Sequence, residues 1–157
     1  MIDRFDTALL NLVQRDDART AESLARDVPL SPSAIARRLR RLRAEGWIAR
    51  TIALLAPRLT ATRLKALVSV QLAEHANQAG KAALRDRLLA EPQVQFAYEM
   101  TGAFDILVLF DCASMAAFNE VAEAVLVADS TVRRYETSFV KHEVKFAPFV
   151  ALDDGAR

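Results

Sequence analysis

The stretch SPSAIARRLRRLR, residues 31–43, is the most informative segment of the 157-residue chain. Ser31 and Pro32 form a helix-start signal, because serine caps helix N-termini and proline fits the first helical position, where no backbone N–H is needed. At 100° per residue, three aliphatic side chains then fall on one side of the helix: Ile35, Leu39 and Leu42. The arginines fall on the opposite side and its flanks. The stretch therefore predicts an amphipathic helix with an apolar back and a cationic front.

Two shorter helices are expected before this segment. Asp3 is predicted to cap a helix that runs to about Arg15, and Thr20 is predicted to cap a second helix that runs to about Val28. Three short helices with tight connections are typical of a helix-turn-helix unit. After the third helix, residues 47–48 and 51–55 have the composition of short strands, so we expect a small wing beside the helices.

The second half of the chain alternates between strand and helix patterns. Strands are expected at residues 66–72, 94–100, 106–110 and 132–146, with helices at 77–90 and after Ser114. The order β-α-β-β-α-β predicts a ferredoxin-like sandwich with its helices on one sheet face. The expected fold class is thus α+β, with a winged helix-turn-helix domain followed by a ferredoxin-like domain. Its expected boundaries are 1–55 for the first domain, 56–64 for the linker, 65–150 for the second domain and 151–157 for a tail.

Charge is distributed unevenly along the chain. The total is +1, but residues 1–64 hold 12 arginines and 7 acids, a net +5, and the remaining residues carry a net −4. This asymmetry indicates a basic N-terminal module that meets a polyanion. The single cysteine, Cys112, permits no internal disulfide, and with only two histidines no zinc site is expected. No membrane span or signal peptide is evident, so we expect a cytoplasmic protein.

The cationic front of the third helix favours a nucleic-acid interface over an ordinary solvated helix face. Solvated faces tend to mix charge signs, yet no acid occurs between Val28 and Ala44. Arginine can bond two acceptors on a guanine edge or clamp a phosphate. Because no aromatic stacking platform accompanies the basic face, double-stranded DNA is favoured over RNA. The residues expected to contact DNA are Ser31, Ser33, Arg37, Arg38 and Arg41.

Several motifs in the same order resemble those of the Lrp/AsnC, or feast/famine, family of transcription regulators. Ile2–Asp6 with the following Leu9 and Leu10 is similar to the opening helix of the family, and residues 30–48 are similar to its recognition helix and exit. Residues 51–57 resemble the stretch that leads into its linker. Residues 101–105, Thr-Gly-Ala-Phe-Asp, are similar to the Gly-x-Phe/Tyr-Asp loop of its ligand-sensing domain. The likeness covers about residues 2–147.

The resemblance implies a sequence-specific DNA-binding transcriptional regulator rather than an enzyme, with no metal or other cofactor. It also implies a homodimer built through the sheet domains, assembled further into forms such as an octamer. A small effector, commonly an amino acid, would bind between dimers and change assembly or DNA affinity. Carried over by position, the effector site would comprise Met100, Thr101, Gly102, Phe104 and Asp105 of the loop, with Ser138, Phe139 and Val140 of the last strand.

The loop residues also support a ligand on chemical grounds. Gly102 lets the backbone turn tightly, neighbouring N–H groups can hold a carboxylate, and Asp105 can pair with an ammonium group. The alternative is that Gly102 only makes a hairpin and Asp105 only caps it.

Two other functions and a redox role for the cysteine are considered beside this one. A haem-pathway decarboxylase-like enzyme would share the two-domain architecture, but such enzymes depart from the loop motif that is intact here. Acid–base catalysis would also need a positioned histidine or paired carboxylates, which His75 and His142 do not suggest. A sensing module without DNA binding would not need the arginine front. Cys112 follows an apolar strand without cationic neighbours, so a redox switch is disfavoured.

Overall fold

The computed structural model describes residues 1–73, 77–128 and 130–153. The chain forms two compact units, which we call the helical unit and the sheet unit. The helical unit comprises residues 1–54 together with the C-terminal segment from Lys145, and the sheet unit comprises residues 55–144. His75 lies outside the described residues, as does most of the expected tail.

Three helices build the helical unit: α1 at Arg4–Val13, α2 at Ala21–Leu24 and α3 at Pro32–Ala44. Each begins at its predicted cap, where Asp3, Thr20 and Ser31 accept hydrogen bonds from backbone N–H groups of the first turn. Helix α2 is shorter than predicted, since the chain turns after Leu24. Pro29 opposes helical geometry at the residue before it, which helps to end the helix.

The apolar back of α3 forms part of a buried core. Eight aliphatic side chains from the three helices and the turn after α2 make this cluster: Leu9, Leu10, Val13, Leu24, Val28, Ile35, Leu39 and Leu42. Burying one such side chain contributes about 1.5–3 kcal/mol. The core therefore fixes which side of α3 faces inward and leaves the arginine side outward, as the periodicity predicts.

The predicted wing is wrong. Within the helical unit as described, residues 47–54 form no strand and have no ladder partner. Ile48 packs partly buried against the helical core, whereas the apolar side chains that follow are more than 60% exposed, namely Ile52, Leu54 and Leu55. A strand is stable only when a neighbour pairs with its backbone, and Trp47–Ile48 is too short to serve as that neighbour. The linker region contains a one-turn helix, α4, at Pro57–Thr60.

The sheet unit has the predicted β-α-β-β-α-β order. Its elements are β1 at Leu64–Leu72, α5 at Gln78–Ala90, β2 at Val94–Glu99, β3 at Ile106–Cys112, α6 at Met115–Ala122 and β4 at Val132–Phe139. Helix α6 continues as a π-helical stretch at Glu123–Val127. The strands lie in the order β2-β3-β1-β4 and all neighbours are antiparallel.

The last strand is shorter than predicted, because it ends at Phe139 rather than near residue 146. Strand β4 pairs with β1, and the pair Ala66–Phe139 lies almost at the start of β1. One more bond follows, from the Val140 N–H to the Lys65 carbonyl, at 2.9 Å. Only Leu64 of β1 remains beyond it, so the ladder stops close to the start of that strand.

The two faces of the sheet differ in burial. One face packs on α5 and α6 and holds fully buried side chains, among them Val68, Val108 and Phe110. The alternate residues point to the other face, which we call the outer face, and none of the apolar ones there is fully buried: Leu67, Phe96, Tyr98, Leu107 and Leu109. Among the described residues, no helix is both long and apolar enough to cross a membrane.

Candidate DNA-binding and effector sites

The exposed front of α3 presents the side chains that are available to a partner. Ser33, Arg37 and Arg40 are exposed on this helix. No ion pair is recorded for Arg37 or Arg40 within the described part of the chain. Arg40 is absent from the set expected to contact DNA, although its helical position flanks Arg37. These two guanidinium groups keep all their donors for a ligand.

Two other arginines of α3 are bound to acids of α1. The Arg38 guanidinium donates to both Asp3 and Asp6, at 2.8 Å in each case. Arg41 donates to the second oxygen of the Asp6 carboxylate, at 2.5 Å. Asp6 is only 1% exposed and also accepts a hydrogen bond from the backbone N–H of Asp3. We call this group of four side chains, Asp3, Asp6, Arg38 and Arg41, the acid–arginine cluster.

The cluster lowers the pKa of both carboxylates. Burial by itself raises the pKa of Asp6, but hydrogen bonds from Arg38, the Asp3 N–H and Arg41 outweigh burial and bring it below its usual range. For Asp3 the same balance holds, with bonds from the Asp6 N–H and Arg38 lowering the pKa. Both carboxylates are therefore ionised at neutral pH and neutralise part of the α3 charge.

Arg43 is engaged in the same way by an acid outside the helix. It pairs with Asp17 at 2.7 Å, and Thr51 donates to the other oxygen of that carboxylate. The absence of acids between residues 28 and 44 thus overstates the free positive charge of α3, since its counter-ions come from α1 and the turn after it. The freely exposed cationic front is narrower than the sequence pattern predicts.

The two serines expected at the DNA have different surroundings. The Ser31 hydroxyl accepts from the Ala34 N–H at 3.3 Å and thereby caps α3. Ser33, in the first turn of the helix, contacts the Ser31 hydroxyl at 3.1 Å and is exposed. Ser31 therefore has a structural role in addition to any contact it makes with a ligand.

The turn between β2 and β3 contains the first group of expected effector residues. Gly102 has a φ of +133°, which favours glycine, and nothing lies within 4 Å of where a Cβ would stand. The Met100 N–H donates to the Asp105 carbonyl at 2.8 Å and closes the turn. The Asp105 carboxylate accepts from the Leu72 N–H at 2.8 Å, so it fastens the turn to the end of β1. One carboxylate oxygen remains for a ligand, because a single oxygen makes this bond.

A cation and an aromatic ring flank this turn. The Arg134 guanidinium lies 5.5 Å from the centre of the Phe104 ring, and its Nε donates to Gln71 at 2.8 Å. A shallow depression beside Arg134 is lined by residues of the π-helical stretch and of β4: Leu126, Val127, Val132, Arg133, Arg134 and Tyr135.

The second group of expected effector residues lies at the other end of the sheet. The Asp105 N–H donates to the Val70 carbonyl of β1 at 2.9 Å, and Val70 pairs with Tyr135 of β4. Phe139 lies four residues further along β4, roughly 13 Å away at 3.3 Å per residue. Ser138 and Val140 flank it on the strand end, so one chain does not bring the two groups together. A site that uses both groups needs a second subunit.

The described residues hold no cluster of three or more potential metal ligands. His142 lies past the end of β4, not on it as expected, and is exposed. Cys112 is the last residue of β3, not a residue after it, and is fully buried. Burial raises the pKa of its thiol, as does Asp111, and outweighs the opposing effect of Arg63. Asp111 itself is bound by Arg63 and Gln95.

Comparison with known proteins agrees with this geometry. Residues 65–148 match the Lrp/AsnC ligand binding domain, and residues 2–43 match the AsnC-type helix-turn-helix domain. An uncharacterised HTH-type transcriptional regulator of Sinorhizobium fredii is 30% identical over 92% of this chain and 85% of its own length. The leucine-responsive regulatory protein of Haemophilus influenzae is 29% identical over 96% of this chain and 90% of its own length.

A solved structure extends the agreement to the whole fold. The chain is similar to a transcriptional regulator of Neisseria meningitidis, solved as a complex with L-methionine, with a TM-score of 0.83 and 26% identity. The match covers 98% of this chain and 97% of that one. The domain models cover both halves in the order that the sequence motifs predict. The chain therefore belongs to the Lrp/AsnC family of DNA-binding transcriptional regulators, with a ligand-binding domain after its helix-turn-helix.

Proposed function

We propose that this chain is a sequence-specific regulator that reads the major groove with the front of α3. Arg37 and Arg40, exposed and without recorded ion pairs, are the observation that carries this proposal. Their planar groups can reach base edges or phosphates, and Ser33 can add a contact from the first turn. Arg38 and Arg41 instead position α3 against α1, although their unused N–H groups remain able to meet a phosphate.

Footprinting on the promoter of the chain's own gene, followed by affinity measurements, tests this assignment. Arg37→Ala with Arg40→Ala should abolish the preference for the operator. If two modules make about six phosphate contacts, log K should fall with log salt at a slope near −5 for the natural chain. Arg85→Ala, an exposed arginine of α5 in the sheet unit, is the matched control and should change little. Specific binding that survives the double change would remove the front of α3 from the interface.

We infer further that the regulator acts as a homodimer, with larger assemblies built from it. The outer face of the sheet supports this inference, because Phe96 and Tyr98 stack there with ring centres 4.9 Å apart while Tyr98 stays 59% exposed. Apolar patches of this kind favour self-association, and a two-fold axis places two reading heads on a near-palindromic site. Leu107→Glu puts a charge on this face and should shift the sedimentation of the full chain towards the monomer. An unchanged oligomer would place the interface elsewhere.

The proposed ligand is a small amino acid at the turn of residues 100–105. Backbone N–H groups of the turn can face its carboxylate, and the free oxygen of Asp105 can face its ammonium group. The Neisseria relative binds L-methionine and the Haemophilus relative is named leucine-responsive, which supports this ligand class. In this proposal the role is regulatory and not enzymatic, and the protein works in the cytoplasm where its DNA is.

Calorimetry with all twenty amino acids tests the ligand assignment. Asp105→Asn keeps an oxygen for the Leu72 N–H but removes the charge, so it should abolish the heat of binding and leave the turn intact. Typical couplings of about 1–3 kcal/mol would change operator affinity roughly 5–150-fold on ligand binding. No heat from any amino acid in the natural chain would contradict the proposal.

A further inference from the structure

The C-terminal segment docks on the DNA-binding unit through an arrangement that neither domain match covers. Two carboxamide side chains, Asn11 on α1 and Gln14 at its C-cap, hold the chain near residues 150 and 152. Asn11 donates to the Leu152 carbonyl at 2.8 Å and accepts from its N–H at 2.9 Å. Gln14 donates to the Val150 carbonyl at 2.5 Å and accepts from its N–H at 3.0 Å.

These four bonds imitate a β-ladder. In an antiparallel hydrogen-bonded pair, one residue gives both its N–H and its carbonyl to the residue opposite, and here each side-chain amide takes the place of that residue. Asn11 and Gln14 are three positions apart, so they lie on one face of α1. Val150 and Leu152 are two positions apart, so they point their backbone groups to one side of an extended chain. Both pairs of bonds form together, and the segment runs antiparallel to the helix.

Side chains add selectivity to this backbone recognition. Leu152 packs against the buried core of the helical unit. The Arg15 guanidinium lies 4.2 Å from the centre of the Phe149 ring, within the range of a cation–π contact. Val150 remains 65% exposed, so its side chain contributes little. The docking thus combines four amide bonds, one apolar anchor and one cation–π contact.

We propose that residues 149–152 act as a latch, which docks on α1 and keeps the helical unit in the form that binds DNA. Helix α1 is the link, because its first turn holds α3 through the acid–arginine cluster while its last turn holds the latch. The Gln14 bonds are solvent-exposed and the Asn11 bonds are only partly buried, as in segments that open without global unfolding. The same segment continues from β4, so the ligand-binding unit has a chain connection to the latch. The DNA part of this proposal rests on the proposed function, whereas the docking itself does not.

Hydrogen exchange on the full chain tests the docking. Asn11→Ala with Gln14→Ala should remove protection from the amides of residues 150 and 152 and lower that of α1 about tenfold. Protection of α5 should not change. The matched control, Gln78→Ala with Asn119→Ala, removes two exposed amides from helices of the sheet unit and should leave the latch protected. Unchanged protection in the α1 variant would overturn the docking.

A second variant separates the latch from the folding of α1. Val150→Pro removes the backbone N–H that donates to Gln14. The Val150 side chain is exposed, and the change leaves every helix residue as it is. It should release the segment and weaken operator binding about three- to tenfold at fixed salt, as the double alanine variant should. Release without any loss of operator affinity would overturn the DNA part of the proposal. A natural chain that binds no DNA but shows the protected latch would overturn the proposed function and leave the docking supported.

Discussion

The acid–arginine cluster allows a quantitative prediction about the stability of the DNA-binding unit. Asp6→Asn keeps the size of the side chain and one acceptor oxygen but removes the charge that binds Arg38 and Arg41. Hydrogen bonds to charged groups contribute about 1.5–3 kcal/mol each. Because Arg38 and Arg41 are 24% and 41% exposed, water replaces part of what is lost, and the net loss is smaller than the sum of the two bonds. We expect the helical unit to lose about 2 kcal/mol of its free energy of unfolding. For a unit of this size, each kcal/mol lowers the melting temperature by about 4–8 °C.

Trp47 provides an assay that is specific to this unit. It is the only tryptophan of the chain and lies just after α3, where its backbone N–H donates to the Leu42 carbonyl at 2.9 Å and its indole N–H donates to Glu45 at 3.0 Å. Urea titration followed by tryptophan fluorescence therefore reports the helical unit separately from the sheet unit. Glu22→Gln, which removes an exposed acid from α2 in the same unit, is the control for the change in net charge. Equal midpoints for the Asp6 and Glu22 variants would refute the stabilising role of the cluster.

The same variant predicts a change in acid sensitivity. The pKa of Asp6 is lowered in the folded protein, so its contribution is fully present above the usual aspartate value of about 4 and is lost as the pH falls through the folded value. The natural chain should keep constant stability from pH 7 to about pH 5 and lose it below pH 4. Asp6→Asn should flatten this acid limb. An unchanged acid limb in the variant would assign the loss to other carboxylates.

Three further predictions concern local packing. Ser31→Ala should cost about 1 kcal/mol by removing the α3 cap, whereas Ser31→Asp should keep the cap but weaken DNA binding by repulsion; urea midpoints and operator affinities separate the two effects. A Cβ on Gly80 would meet the stiff, buried side chain of Thr131, so Gly80→Ala should destabilise the sheet unit by about 1–2 kcal/mol despite its better helix propensity, and Thr131→Ala should reduce that cost in a double-mutant cycle. The buried Cys112 thiol should resist alkylation in the native chain and react only on unfolding, which mass spectrometry would show.

The sequence predicts the parts of the fold that depend on local chemistry. The three N-caps, the apolar back of α3 and the order of elements in the sheet unit are all confirmed, since each follows from neighbouring residues. The ends of elements that depend on a distant partner are predicted less well. Strand β4 stops at Phe139, where its partner β1 is close to its own start, and residues 51–55 stay unpaired because no described strand lies beside them. A hydrophobic pattern in one segment carries no information about where its partner ends.

The candidate site shows the same division between local and distant effects. The periodicity of α3 correctly selects the outward side, but it treats every outward arginine as available. In the fold, Asp6 binds Arg38 and Arg41, which lie 32 and 35 positions further along the chain. Asp17 binds Arg43. Ionic partners therefore decide which cations remain free. One signal in the sequence does point to this outcome, because Asp3 and Asp6 belong to a helix that must pack beside α3 if a helix-turn-helix forms. Acids on the neighbouring helices have to be counted with the cationic helix before its charge is assigned to DNA.

The acid–arginine cluster and the latch together give α1 a role that neither its length nor its composition suggests. A ten-residue helix with one apolar face is marginal by itself. Here its first turn binds two arginines of α3 and its last turn binds the C-terminal segment, so one helix contacts both α3 and the latch. The latch at one end of α1 can affect α3 at the other end only if the bonds at both ends form in the same conformation of the helical unit. The helical unit therefore comprises three helices and a docked C-terminal segment, and in the latch proposal its DNA-binding surface depends on both.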